Sequence, residues 1–201
     1  MLAAGMGRRL GKYTEAMTKC MISVGGRTLL ERAVDALKEA GVRKLVMVVG
    51  WEADRLVNFI RNNIRDMEFE FVYNRDYATT NNIYSLYLAK EHLLLDDTIL
   101  LESDLVYDQS LLRHVVEASE EDLVAVAPYE QWMDGTVATL DDDGNISDFI
   151  AKKDFSFYNA DQYYKTVNIY KFSREFSKKH YLPFLEAYIK AYGMNQYYET
   201  V

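Results

Sequence analysis

From Thr28 to Ala127 the chain alternates between short runs rich in valine, isoleucine and aromatic residues and longer runs with apolar positions at helical spacing. Strands are expected at Lys44–Val49, Phe69–Tyr73, Thr98–Leu101 and Leu123–Ala127, and helices at Ala53–Ile64, Asn82–Lys90 and Ser110–Ala118. A further helix starts at Thr28, where Glu31 three residues on completes a capping box and Leu30, Val34 and Leu37 form the apolar stripe; it should stop near Gly41. The run Lys44–Val49, closed by Gly50, suits a strand buried on both faces. Strand and helix alternating at this period require right-handed crossovers, and so a mostly parallel sheet with helices on both faces.

After Pro128 the pattern changes. Gly135–Leu140 and Asn145–Ile150 flank the acidic turn Asp141-Asp142-Asp143-Gly144 and read as a small antiparallel hairpin inserted into the fold. Tyr164–Phe172 restores a strand, and the remainder, with Pro183 opening the segment Phe184–Ala191, reads as helical. With 201 residues and no linker or repeat, 1–201 is expected to be a single domain. Thirty-one acidic against 23 basic residues give a net charge of -8, which argues against a nucleic-acid partner. The single cysteine, Cys20, excludes an internal disulfide, and no long apolar run suggests a membrane span, so a soluble, cytoplasmic protein is the expectation. Most of the 16 tyrosines should pack the core with a polar tip outward, and a minority could line a pocket.

Chemistry concentrates in two segments. In Leu2-Ala3-Ala4-Gly5-Met6-Gly7-Arg8-Arg9-Leu10, glycines directly after a buried strand let the backbone approach an anion. The spacing fits neither the dinucleotide fingerprint, which needs glycine where Leu10 stands, nor the P-loop, because Gly11-Lys12 precedes Tyr13. What remains is a glycine loop with cations at Arg8, Arg9 and Lys19, which reads either as a triphosphate cradle or as a plain turn with solvated arginines. The second segment, Ile99 to Leu105, ends an apolar strand with Glu102 and Asp104, where open α/β sheets bind ligands. Magnesium takes one or two carboxylates beside phosphate oxygens, and Asp104 is the candidate ligand; a solvated strand end is the plainer reading of both acids.

Taken together, Leu2-Ala3-Ala4-Gly5-Met6-Gly7-Arg8-Arg9-Leu10 and Thr18-Lys19-Cys20-Met21 resemble the signature of the nucleotidyltransferases that activate sugar phosphates and phosphocholine. The stretch Tyr77 to Leu88, with Thr79-Thr80-Asn81-Asn82 in it, is similar more narrowly to the bacterial cytidylyltransferases acting on phosphocholine or 2-aminoethylphosphonate. The resemblance runs over essentially the whole chain. It implies a Rossmann-like fold of the nucleotide-diphospho-sugar transferase type, with Mg2+ as cofactor, CTP and a small phosphorylated or phosphonate acceptor as partners, and Lys19, Arg9 and Asp104 as the catalytic set. Leu2, Ala3, Ala4, Gly5, Met6 and Gly7 would surround the phosphates, and Ala78, Thr79, Thr80, Asn81 and Asn82 would lie against the base. Asp104 would hold the metal. Members of the family carry further strand residues ahead of Leu2 and, beyond the position of Val201, a second metal-binding aspartate that this sequence does not contain.

For the acceptor end, Trp132 beside Glu130 and Asp134 could meet a cationic amine or cover the core. Lys153, with Lys152, stands roughly where sugar-phosphate relatives keep a lysine for the acceptor phosphate, though a solvated pair is the commoner reading of two such lysines. Tyr164, Lys165 and Asn168 are further acceptor candidates. The residues do not choose between phosphocholine and 2-aminoethylphosphonate. A sugar-1-phosphate nucleotidyltransferase and a non-catalytic nucleotide-binding module are the alternatives, and His92, His114 and His180 are read as structural.

Overall fold

The computed structural model describes all 201 residues. Strand β1 (Leu2–Ala3) leads into the glycine loop, which winds through short 3-10 turns at Arg8–Tyr13 and Lys19–Met21. Strands β2 (Ser23–Val24) and β3 (Arg27–Thr28) then form a tight hairpin that the sequence reading did not include. Its turn residues Gly25 and Gly26 have φ of 61° and 82°, as a two-residue turn between twisted strands requires. Helix α1 (Leu29–Glu39) carries the expected capping box: the Glu31 amide donates to the Thr28 hydroxyl at 3.1 Å, and the Thr28 amide donates to the Glu31 carboxylate at 2.8 Å.

The alternation continues through β4 (Lys44–Val49), α2 (Ala53–Asn63), β5 (Glu68–Tyr73), α3 (Asn82–Leu88), α4 (Lys90–Leu93), β6 (Thr98–Leu101), α5 (Ser110–Glu117) and β7 (Leu123–Pro128). The expected insertion is the hairpin β8 (Val137–Leu140) and β9 (Ile146–Ile150), closed where the Asn145 amide donates to the Asp141 carboxylate at 2.8 Å. β10 (Tyr164–Phe172) returns to the sheet. The chain is then helical, as expected, from α6 (Arg174–Phe176) through a π turn at Ser177–Tyr181 into α7 (Leu182–Tyr192), with Pro183 in the first turn of α7.

β1, β4 and β5 pair in parallel, and β1 touches β6 through a single parallel bridge, Leu2 to Glu102. β10 lies antiparallel to both β6 and β7, so β10 is the one reversed strand of a sheet ordered β5-β4-β1-β6-β10-β7. The reversal follows from the insertion. β7 leaves the sheet at Pro128, and the chain re-enters beside that same residue at Tyr164, so it must run back. Successive side chains of a strand face opposite sides. Accordingly Ala3, Met47, Val49 and Leu101 pack with α1, α2 and α5, whereas Leu2, Ala4, Val48 and Leu100 pack with α3, α4 and α7. The Rossmann-like class, with helices on both faces and an antiparallel insertion, is the observed architecture.

Candidate active site

A cleft of ≈ 230 Å³ opens at the carboxyl ends of β1 and β6, where the sheet places it for an open α/β fold. One wall is the glycine loop. Gly7 has φ of 64°, and a side chain there would put Cβ 2.6 Å from Cγ of Lys19, so the loop closes over the lysine only with glycine. The buried Thr14 hydroxyl donates to the Gly7 carbonyl at 2.9 Å, and the Trp51 indole donates to the Thr14 carbonyl at 3.1 Å. Gly50, just past β4, is needed for another reason: a Cβ would stand 2.8 Å from the Ala4 carbonyl oxygen and 2.8 Å from Cβ of Tyr77.

Lys19 reaches across the cleft to the Asp104 carboxylate at 2.5 Å, an ion pair between residues 85 positions apart. Next to Lys19, the Cys20 thiol is buried against Thr18 at 3.1 Å, and burial pushes its pKa to about 11, so it serves as a neutral core group. Beneath Asp104, desolvation raises Glu102 to about 7, aided by the charges of Asp104 and Glu199, while Lys19 pulls it down. Asn82, at the start of α3, donates to Glu102 at 3.2 Å and to Glu199 at 3.4 Å, and its carbonyl accepts from the Tyr198 amide at 3.1 Å. Burial also raises Glu199. Behind this wall the buried Asn74 donates to Thr80 and Ser85, both at 3.1 Å, which fixes the loop before α3.

Of the residues singled out in the sequence, Leu2, Ala4, Gly5, Arg9, Lys19, Thr80, Asn81, Asn82, Asp104 and Asn168 line the cleft. Ala3 points into the opposite core, and Ala78 and Thr79 are exposed outside the cleft. Met6 and Gly7 belong to the loop without lining it. The Asn82 side chain is occupied by the two carboxylates and the Tyr198 amide. Trp132 is 77% exposed and donates to Glu130 at 2.9 Å, so it neither covers the core nor reaches the cleft. Asp134 pairs with Lys152 at 2.9 Å, Lys153 is exposed, and Tyr164 stands outside the cleft lining. Asn168 sits at a bulge in β10 with φ of 57°, which turns it out of strand register. Sequence reasoning did not assign Asn74, Tyr77, Ser85, Ser103, Tyr197 or Glu199 to the site. Tyr77 and Ser85 lie in the stretch Tyr77–Leu88 that carried the resemblance, and the run Tyr197-Tyr198-Glu199 sets an acid after two aromatics.

Three carboxylates, Glu102, Asp104 and Glu199, line the cleft, and no set of three His, Cys, Asp or Glu side chains gathers closely enough to hold a metal. This donor set fits a magnesium ion that arrives with phosphate oxygens and water in its shell, and not a metal caged by protein alone.

A glycine loop, a lysine and carboxylates thus meet at the open edge of a mostly parallel sheet, the arrangement of an α/β protein with its cleft at the strand ends. The chain belongs to the family of the MobA-like NTP transferase domain, whose model matches residues 1–195. It is 31% identical over 200 residues to the CMP-5'-(3-aminopropyl)phosphonate synthase of Streptomyces rubellomurinus, covering 99% of this chain and 32% of that protein. The CTP:phosphoglutamine cytidylyltransferase of Campylobacter jejuni is 31% identical over 137 residues, 66% of this chain and 52% of that one. The chain thus spans about a third to a half of the length of these relatives. Among solved structures, the CTP:phosphocholine cytidylyltransferase of Streptococcus pneumoniae superposes with a TM-score of 0.73 at 22% identity, over 99% of this chain and 80% of that one, which shows a shared fold. No helix is long and apolar enough to cross a membrane.

Proposed function

We propose that the protein transfers CMP from CTP to a small amino-bearing phosphonate or phosphate, releasing pyrophosphate. The observation that carries this reading is the Lys19–Asp104 pair closing the cleft under the glycine loop, a cation and an anion that a nucleotide triphosphate would separate. Relatives named for aminopropylphosphonate, phosphoglutamine and 2-aminoethylphosphonate chemistry support cytidine as the base and an amino-bearing acceptor.

In this reading an anionic acceptor oxygen attacks the α-phosphorus in line. The new P–O bond forms as the bond to the bridging oxygen breaks, and pyrophosphate carries off the electron pair. The nucleophile is already anionic, so no general base is required, and the work is positioning and charge neutralisation. Lys19 and Arg9 hold the phosphate oxygens. Gly5 lets the backbone approach them, and Thr80 and Asn81 stand beside the base. Asp104, with Glu102 beneath it, would hold magnesium, which supplies neutralisation of the triphosphate. At the acceptor end, Asn168, Tyr197 and Glu199 line the same cleft, and Glu199 offers an anion to an ammonium group.

The test is pyrophosphate release with CTP and magnesium, comparing 2-aminoethylphosphonate, 3-aminopropylphosphonate, phosphocholine and glucose 1-phosphate. Release with an amino acceptor, lost in Asp104→Ala, supports the proposal. Release with glucose 1-phosphate alone would make the protein a sugar-phosphate enzyme, and CTP binding without release would make it a nucleotide-binding module.

A further inference from the structure

Lys165 lies in the first half of β10, its backbone held between β7 at Ala127 and β8 at Val137. Its half-buried ammonium donates to the Thr166 carbonyl at 2.6 Å and the Thr166 hydroxyl at 3.1 Å. Both partners are neutral, and Lys165 makes no ion pair, unlike Lys19, Lys90 and Lys152. Burial lowers its pKa, while the charges of Glu199 and Asp134 raise it. A half-buried cation served only by neutral oxygens pays a desolvation cost that an anion would recover.

Lys165 stands outside the cleft lining, and its neighbours connect it to the cleft. On one side it faces Glu199, a cleft residue. On the other it lies against Gly135, where an added Cβ would stand at van der Waals distance, 3.7 Å, from Nζ. The neighbouring Asp134 is paired with Lys152 and also faces Arg9 from the glycine loop. Arg9, Lys152 and Lys165, from three separate segments, thus face Asp134, and with Glu199 counted three cations stand against two carboxylates. The Thr166 hydroxyl also contacts Asn168 at 3.3 Å, which links Lys165 to the bulge that forms the cleft wall.

We infer that Lys165 binds the phosphonate or phosphate dianion of the acceptor and sets it beside the α-phosphorus. This rests on the proposed transferase reading and adds the residue that selects a dianionic acceptor. Acceptor saturation curves for wild type, Lys165→Met and Lys165→Arg at saturating CTP and magnesium are the test. Loss of a hydrogen bond to a charged group predicts an acceptor KM raised ~10–100-fold in Lys165→Met, with the KM for CTP unchanged and Lys165→Arg recovering most of the loss. A merely structural lysine would lower the melting temperature and weaken both substrates alike. A second measurement does not need turnover: methylphosphonate is titrated into each protein with CTP saturating and a chelator present. Weaker methylphosphonate binding by Lys165→Met supports the assignment, and equal binding or an acceptor KM within twofold of wild type overturns it. If wild type turns over none of the acceptors, the transferase reading fails while the titration still decides the role of Lys165. Should Lys165→Met not fold, Lys165→Gln, which keeps a donor for the Thr166 carbonyl, carries the same comparison.

Discussion

Replacing Asn82 by alanine separates a structural role for this side chain from contact with a nucleotide base. The substitution removes donors to Glu102 at 3.2 Å and Glu199 at 3.4 Å and the acceptor of the Tyr198 amide. Hydrogen bonds to charged groups are worth about 1.5–3 kcal/mol, but these two are long and belong at the lower end; an amide left without a partner adds about 1 kcal/mol or more. A loss of about 2–3 kcal/mol is expected, a large share of a typical domain's stability. The loss should be partly local, because the same loop holds the last segment through the Asn81 amide to Met194 and the Ile83 amide to Gln196. Urea unfolding in chelator gives the total, and hydrogen exchange should show the Tyr198 amide opening ~30–150-fold more often, the factor that corresponds to that energy. Asn82→Asp keeps the acceptor for Tyr198 but sets a third carboxylate against Glu102 and Glu199. It should be at least as unstable at neutral pH and recover on acidification as these acids take up protons. A change below about 0.5 kcal/mol in Asn82→Ala with unaltered Tyr198 exchange, the range of an inconsequential surface change, would refute the reasoning. Weaker CTP binding in that same variant would return Asn82 to the base.

Lys19→Ala should lower kcat/KM by ~100–1000-fold, about 2.7–4 kcal/mol, the size of losing one preorganised electrostatic group; a drop of less than tenfold in initial-rate assays would remove Lys19 from the chemistry. Gly50→Ala forces a methyl to 2.8 Å from both the Ala4 carbonyl and Tyr77 and should cost about 1–3 kcal/mol in urea unfolding, whereas a neutral result would mean the β4 end yields freely. Glu102 titrates at about 7 when folded against an ordinary 4.5, so its stability contribution is complete below 4.5 and is lost as pH rises through 7. Metal-free protein should therefore lose up to about 3 kcal/mol between about pH 5 and about pH 8, an upper bound because the carboxyl also meets water in the cleft. Glu102→Gln should flatten that slope in urea titrations at the two pH values, and an unchanged slope would assign the effect elsewhere.

Short-range order was legible in the residues themselves. The helix at Thr28 is written in one capping box, the strands in their apolar runs and the hairpin insertion in Asp141 to Gly144, because propensity, capping and turn chemistry act within a few residues. Lys19 and Asp104 stood out as residue types in their segments, family resemblance gave them a shared role, and the fold then joined them across 85 positions. The rest waited on tertiary structure. The reversal of β10 depends on where an insertion leaves and re-enters the sheet, and the β2–β3 hairpin on two glycines that could as well have been loop. Trp132 sat beside two acids in sequence, yet its side chain turns outward to one of them. Glu199 and Asn82 stand 117 positions apart, and nothing local to either says that they share a cleft. Periodicity encodes which side of an element is buried, but the partners that meet at a sheet edge are selected by the packing of the whole chain.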